Sequence, residues 1–297
     1  MNVELRHLRA FAAIGDEGTI TGAAAALRIS QPALSRTLDQ LERRVGARLV
    51  ERTTRSLALT EAGTRLLARA HRILTQVDDA LAEVTAGPRE LRVGFAWGAL
   101  GRHTVPLLRG WRDARPDTEA RMFRLDDPET ALRHGEIDVA FVRSPRTPDR
   151  DLASLDLYRE PRVAAVPEDH PFASAPGVRL VELADRPVVF CAAACSSSAA
   201  LWPVGQRPAT IDVANTDEWL TAIATGDAVG VTASATAHSH PHPAVRYVPI
   251  TDGGSVAVRI VWPRATTHPA TDAFREHARA LLADWAECAE ATGDVHA

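Results

Sequence analysis

Gln31, Ser35 and Arg36 carry side chains suited to reading the edges of DNA bases. Glutamine pairs with adenine, arginine with guanine, and serine with several partners. All three fall off the stripe Leu34, Leu38, Leu41 and Val45, whose three- and four-residue spacing predicts the buried face of one helix. Ser30 is placed to cap that helix, and Pro32 falls in its first turn, where a missing amide hydrogen costs nothing. Asp39 and Glu42 lie further along, where a carboxylate would repel phosphate, so only the first turns are expected to approach DNA. A preceding helix, capped by Thr19, runs through Ala23, Ala24, Ala25 and Ala26, which lack the bulk to keep two helices apart. Two such helices and a tight turn can seat a helix end in a major groove.

Other residues invite chemistry less sharply. Arg52 and Arg55 fall near the tip of an expected two-stranded wing over residues 49–60, suited to phosphate or the minor groove. Trp97, Gly98 and Ala99 follow a strand and precede a helix. Amide hydrogens at such a turn can receive an anion, and Trp97 is either a stacking face for a ligand or a core residue. Arg143 follows another strand and could pair a ligand anion or make a surface ion pair, while Asn215, Thr216 and Ser234 occupy comparable strand ends. Small buried thiols such as Cys191 and Cys195 are common. His238, His240 and His242 have no companion carboxylate or cysteine, so a flexible Pro-rich loop is expected there instead of a metal site. Gly94, Gly98 and Gly101 miss the spacing of a dinucleotide loop, and no hydrolase or zinc-protease pattern occurs. The expectation is no enzyme, no cofactor and no metal.

The elements that would position these groups are legible in pattern. A helix over about residues 4–16 brings Leu5, Leu8, Phe11, Ala12 and Ile14 to a small core. From about 60 to 86 one long helix carries Leu66, Ala70, Ile73, Val77, Ala80 and Val84 four and three residues apart. That is the seam of a short coiled coil or of an amphipathic helix packed on its own domain; dimerisation is the working expectation. Beyond Pro88 strands and helices alternate, which predicts an α/β domain with ligands at the carboxyl ends of its strands. Strands are expected near 91–95, 119–123, 137–142, 163–166, 187–191 and 228–232, and a hairpin turn at Asp252, Gly253 and Gly254 between 245–250 and 255–262.

Charge divides along the same line. The chain carries a net charge of −4 over 297 residues, yet residues 1–72 hold 12 Arg against 7 acidic residues, and the remainder 22 Arg against 31. A basic head on an acidic body is expected of a protein with one nucleic-acid-binding end. No apolar run reaches membrane-spanning length, the first residues lack a signal-peptide core, and three cysteines suggest no disulfide scaffold, so a cytoplasmic protein is expected.

Residues 8–13 (LRAFAA), 18–24 (GTITGAA), 30–36 (SQPALSR), 41–42 (LE), 49–55 (LVERTTR) and 59–63 (LTEAG) together resemble the DNA-binding domain of the LysR-type transcriptional regulators. The resemblance implies an α+β multi-domain chain. A winged helix-turn-helix would occupy 1–60, a dimerisation linker helix 61–88 and an effector-binding domain 89–297. The last would hold two subdomains like those of periplasmic binding proteins, about 90–162 with 267–297, and about 163–266. It implies base contacts by Gln31, Pro32, Ser35 and Arg36, with Thr21, Arg52, Thr53 and Arg55 on the backbone or minor groove. The implied partners are double-stranded promoter DNA, a small-molecule effector, a second copy in a dimer or tetramer, and RNA polymerase. Relatives often place Ser or Thr in the loop that here reads Trp97, Gly98 and Ala99, a departure that argues against a simple carboxylate effector. Peroxide-sensing relatives carry paired cysteines in the second subdomain, so the resemblance offers a redox-responsive regulator using Cys191 and Cys195 as an alternative, although those relatives space their cysteines more widely. A helix-turn-helix fused to a catalytic domain is the competing reading.

Overall fold

The computed structural model describes residues 3–52, 57–86, 89–143, 149–191 and 196–292, with side chains described for 3–51, 57–84, 89–143, 149–191 and 196–283. The chain divides into two units, residues 1–89 with 130–136, and 90–129 with 137–297.

In the first unit, α1 (Leu5–Glu17), α2 (Ile20–Ala26) and α3 (Gln31–Val45) close around Phe11, Ile14, Ala23, Ala24, Leu34, Leu38 and Leu41, all essentially excluded from solvent. Leu5 and Val45, expected in that core, are exposed, because they are the first residue of α1 and the last of α3 and overhang the packed layer. Strands β1 (Val50–Arg52) and β2 (Leu57–Leu59) pair antiparallel, and α4 (Glu61–Ala86) follows. A Cβ on Gly63 would lie 2.1 Å from the Leu49 carbonyl oxygen, so this close approach of α4 to the strand admits only glycine.

The second unit begins with β3 (Leu91–Phe95), α5 (Thr104–Ala114) and β4 (Ala120–Arg124). Helix α6 (Pro128–His134) falls mostly to the first unit. Then come β5 (Val139–Val142), β6 (Leu152–Pro167), β7 (Val188–Cys191), β8 (Thr210–Val213), α7 (Thr216–Ala224), β9 (Val229–Ala233), α8 (Ala235–Ser239), β10 (Val245–Pro249), β11 (Ser255–Pro263) and α9 (Thr271–Thr292). Strand order is β4-β3-β5-β11-β6-β9-β7-β8, with β10 also on β6; β4, β3, β5 and β11 with the first part of β6 form one sheet, and the rest of β6 with β10, β9, β7 and β8 a second. Parallel β3, β4 and β5 therefore point their carboxyl ends one way, as do β7, β8 and β9 among themselves.

Two expectations are corrected. Strand β6 is 16 residues long, not a short strand at 163–166; its first half mixes charged and apolar residues and is only partly buried, so no apolar run marks it. The turn at 252–254 does not close a hairpin: β10 pairs with residues 163–167 of β6 and β11 with 152–161, both antiparallel to it. The turn interrupts what is otherwise one continuous antiparallel partner of β6. Since β11 also pairs with β5, the second crossing between sheets falls at about 250–254, ahead of the boundary expected at 266.

Candidate nucleic-acid interface and ligand site

The recognition end is built by caps. Thr19 Oγ accepts the Gly22 amide at 3.1 Å, and Ser30 Oγ accepts that of Ala33 at 3.4 Å, so both helices start where the sequence places them. With Leu34, Leu38 and Leu41 turned inward, Gln31, Pro32 and Arg36 are exposed, Ser35 is half-buried, and Thr21 is exposed on α2. Arg52 ends β1 with its side chain outside the described residues, as are Thr53 and Arg55 entirely.

Glu42 departs from expectation. It does not present its charge outward: at 9% exposure its carboxylate accepts the amides of Leu49 at 2.7 Å and Val50 at 3.2 Å. Arg48 stands 3.7 Å away. A buried acceptor thus ties the far end of α3 to the start of the wing, a role that helical periodicity alone cannot signal.

Along α4 the expected seam splits. Leu66 packs on the helix-turn-helix core and Ala70 is fully buried by its own chain, Val77 is half-buried, while Ile73, Leu81 and Val84 are exposed, Val84 at 85%.

In the second unit the loop after β3 reaches the opposite strand ends. Gly98 and Ala99 adopt φ of 62° and 41°, a left-handed turn. The turn carries the Trp97 indole into the cluster of Ala165, Val189, Cys191, Trp219 and Ile223. Its Nε1 donates to Thr236 Oγ1 at 2.6 Å, and Trp219 meets it edge-on at 5.6 Å. Trp97 is 3% exposed, so the ring is covered by protein in this structure, the core alternative weighed above. Arg143 is likewise engaged: Nε and Nη2 donate to the two Glu160 carboxylate oxygens at 2.8 and 3.0 Å, and Nη1 to the Trp97 carbonyl at 2.8 Å. Burial opposes the Arg143 charge, but the adjoining Glu160 carboxylate prevails and holds its pKa above the usual arginine value. Burial first, then Glu160, pushes the Tyr158 phenol up as well, with its hydroxyl 3.1 Å from that carboxylate.

Asn215 caps α7 by accepting the Glu218 amide at 3.0 Å, Thr216 is buried with its hydroxyl unpartnered among the described residues, and the half-buried Ser234 donates its amide to the Pro161 carbonyl. The loop after β3 and the residues after β9 therefore meet, whereas Asn215 is engaged within its own cap. Cys191 is buried in the Trp97 cluster, and Cys195 lies outside the described residues. The histidine run is helical through Ser239, with His240 5.7 Å from Trp97, and no metal-holding cluster occurs among the described residues.

This architecture has known counterparts. Residues 5–64 match the bacterial regulatory helix-turn-helix protein, lysR family, and residues 86–283 match the LysR substrate binding domain; the chain belongs to the LysR family. It is 41% identical over 199 residues to "Uncharacterized HTH-type transcriptional regulator YnfL" of Escherichia coli (strain K12), covering 64% of this chain and 66% of that one. It is 36% identical over 187 residues to "Hca operon transcriptional activator HcaR" of the same organism, covering 61% and 62%. The matched stretch thus spans just under two thirds of these relatives' length. Full-length CbnR complexed with its target DNA shares the fold at a TM-score of 0.61 and 24% identity, covering 94% of this chain and 100% of that one.

Proposed function

We propose that this protein is a sequence-specific transcriptional regulator whose promoter binding is modulated by a small molecule held between the facing strand ends of its second unit. The observation that carries it is the capped α3, which buries one face and leaves Gln31, Pro32 and Arg36 on the other, with Ser35 at the margin. Residues 5–64, which hold this helix, match the bacterial regulatory helix-turn-helix family, which supports assigning DNA to this end. In this reading Thr21, Arg52, Thr53 and Arg55 hold the backbone or minor groove. Trp97, Gly98, Ala99, Arg143, Asn215, Thr216 and Ser234 surround the effector, Trp97 and Arg143 as the framework that shapes the site.

Ile73, Val77 and Val84 face a second copy, and Leu66 and Ala70 anchor the helix they stand on. The dimer, or a tetramer built from it, presents paired recognition helices to a dyad-symmetric site, with RNA polymerase as a further partner. The protein acts in the cytoplasm and is not an enzyme; among the described residues no helix is long and apolar enough to cross a membrane.

Footprinting on the DNA flanking its own gene, with and without metabolites of neighbouring pathways, tests this. A protected dyad whose length changes with a metabolite is expected; turnover of that metabolite with an unchanged footprint would overturn it.

A further inference from the structure

We propose that Arg162 and Ser196, with Arg159 reinforcing the charge, form an anion site for a carboxylate or phosphate group where β6 passes from one sheet to the other. The buried or nearly buried arginines elsewhere in this unit stand beside carboxylates: Arg143 by Glu160, Arg92 by Asp138, Arg259 by Asp156. Arg162 does not. Half-buried, it donates from Nε to the Ser196 carbonyl at 3.1 Å and from Nη1 to the carbonyls of Gly253 at 2.9 Å and Ser255 at 3.2 Å. Three carbonyl dipoles fix the guanidinium without neutralising it, and Nη2 is left open among the described residues.

Arg159 adds a second cation. Its Nη2 donates to the same Ser255 carbonyl at 3.2 Å and its Nε to the Ser255 hydroxyl at 2.7 Å. Neither arginine has an acidic partner within 4.0 Å among the described residues. The one carboxylate in the adjoining turn, on Asp252, accepts the Leu180 amide instead. Two guanidinium groups converging on one carbonyl repel each other, and burial together with Arg159 holds the Arg162 pKa below its ordinary value. An anion would relieve both costs.

Ser196 supplies the independent observation. It is 2% exposed, and its hydroxyl is buried with no hydrogen-bond partner among the described residues, although its own carbonyl holds Arg162. A buried hydroxyl left unmatched costs about 1–3 kcal/mol, so such a group calls for a ligand or an ordered water. An oxyanion placed between that hydroxyl and the uncompensated guanidinium that the same residue holds would satisfy both groups at once. The turn that aims the carbonyls depends on glycine: a Cβ on Gly253 would lie 2.7 Å from Ile250, and Gly254 has φ of 61°.

As a regulatory contact the site rests on the ligand-gated reading above; as an anion site it does not. The full-length protein is melted against rising inorganic phosphate and, separately, rising acetate. At least one anion is expected to raise the melting temperature along a saturating curve, beyond the linear rise that excluded salts produce. R162Q is expected to weaken the apparent affinity at least tenfold and S196A several-fold. No saturating component with either anion, or equal curves for wild type and R162Q, overturns the site. Should R162Q fail to fold, S196A decides, because it removes only an unpartnered hydroxyl: unchanged affinity overturns the proposal and a several-fold loss supports it. Footprints on the same proteins separate the two ideas. Arg162-dependent anion binding with an unchanged footprint keeps the site and sinks gating, whereas a footprint response equal in wild type and R162Q overturns the site as the effector contact.

Discussion

Glu42 accepts the amide of Leu49 at 2.7 Å from a carboxylate almost wholly out of solvent, so α3 and the strand pair that follows it are one mechanical piece. Position along the helix would have assigned Glu42 a repulsive surface role. Its burial makes it a strut.

Removing that strut leaves the amides of Leu49 and Val50 without their acceptor. Glu42→Ala is expected to destabilise the DNA-binding unit by about 1–3 kcal/mol. Thermal unfolding of the full chain checks this: the transition of the first unit should fall while that of the second stays in place.

Arg36, exposed off the buried stripe, is expected to read a base. Arg36→Ala should cost about 1–3 kcal/mol at the specific site and relax its sequence preference. Competition binding against random duplex is the measurement, and an equal loss on both would make Arg36 a phosphate contact only.

The split in α4 gives a paired prediction. Leu81→Asp and Val84→Asp, on exposed positions, should yield monomers in sedimentation with nearly unchanged melting temperature. Ala70→Asp should unfold the first unit, because Ala70 has no solvent to turn to.

Trp97 joins its loop to the core beyond β9. Trp97→Ala should destabilise the second unit by about 3–5 kcal/mol, the usual cost of deleting a large buried ring, and Trp97→Phe by less. Chemical denaturation followed by circular dichroism distinguishes them, and a near-neutral Trp97→Ala would mean that the ring is not packed in solution.

Histidines 103, 134, 170 and 240 are all held below the ordinary 6.5, each first by burial. Next come Arg102 and His238 against His103, His71 against His134, Arg186 against His170 and Arg124 against His240. Glu160, then Glu136 with Asp16, Asp169 and Asp217 respectively pull the other way. With the folded value below the unfolded one, the unfolded chain takes up protons first. Stability is therefore full above about pH 6.5 and declines as pH falls below it. Melting temperatures from pH 7.5 to 5.5 should drop, and His103→Gln should flatten that slope.

Much of the first unit was legible because its signals are local: a cap at Ser30, a stripe through Leu34, Leu38 and Leu41, and small residues at the helix crossing. The strands of the second unit were legible where apolar runs are short and bounded, as at Leu91–Phe95. What escaped is nonlocal. Strand β6 draws its length from partners 65 (Ala165 with Gly230) to 111 (Leu152 with Pro263) residues away, and the residues at 252–254 read as a hairpin because turn chemistry does not reveal which strand the next segment will join. The engagement of Arg143 with Glu160 was equally hidden, since strand-end position cannot tell a ligand's counter-charge from the protein's own.

Strand β6 also constrains how a signal can travel. One continuous backbone is hydrogen-bonded into the first sheet through residue 161 and into the second from 162 onward, and its companion breaks at 250–254, beside the same point. Any rotation between the sheets must be taken up as torsion in these few peptides. A ligand there would stiffen or slacken a torsion bar, and the twist set at Arg162 would be delivered at the distant ends of both sheets.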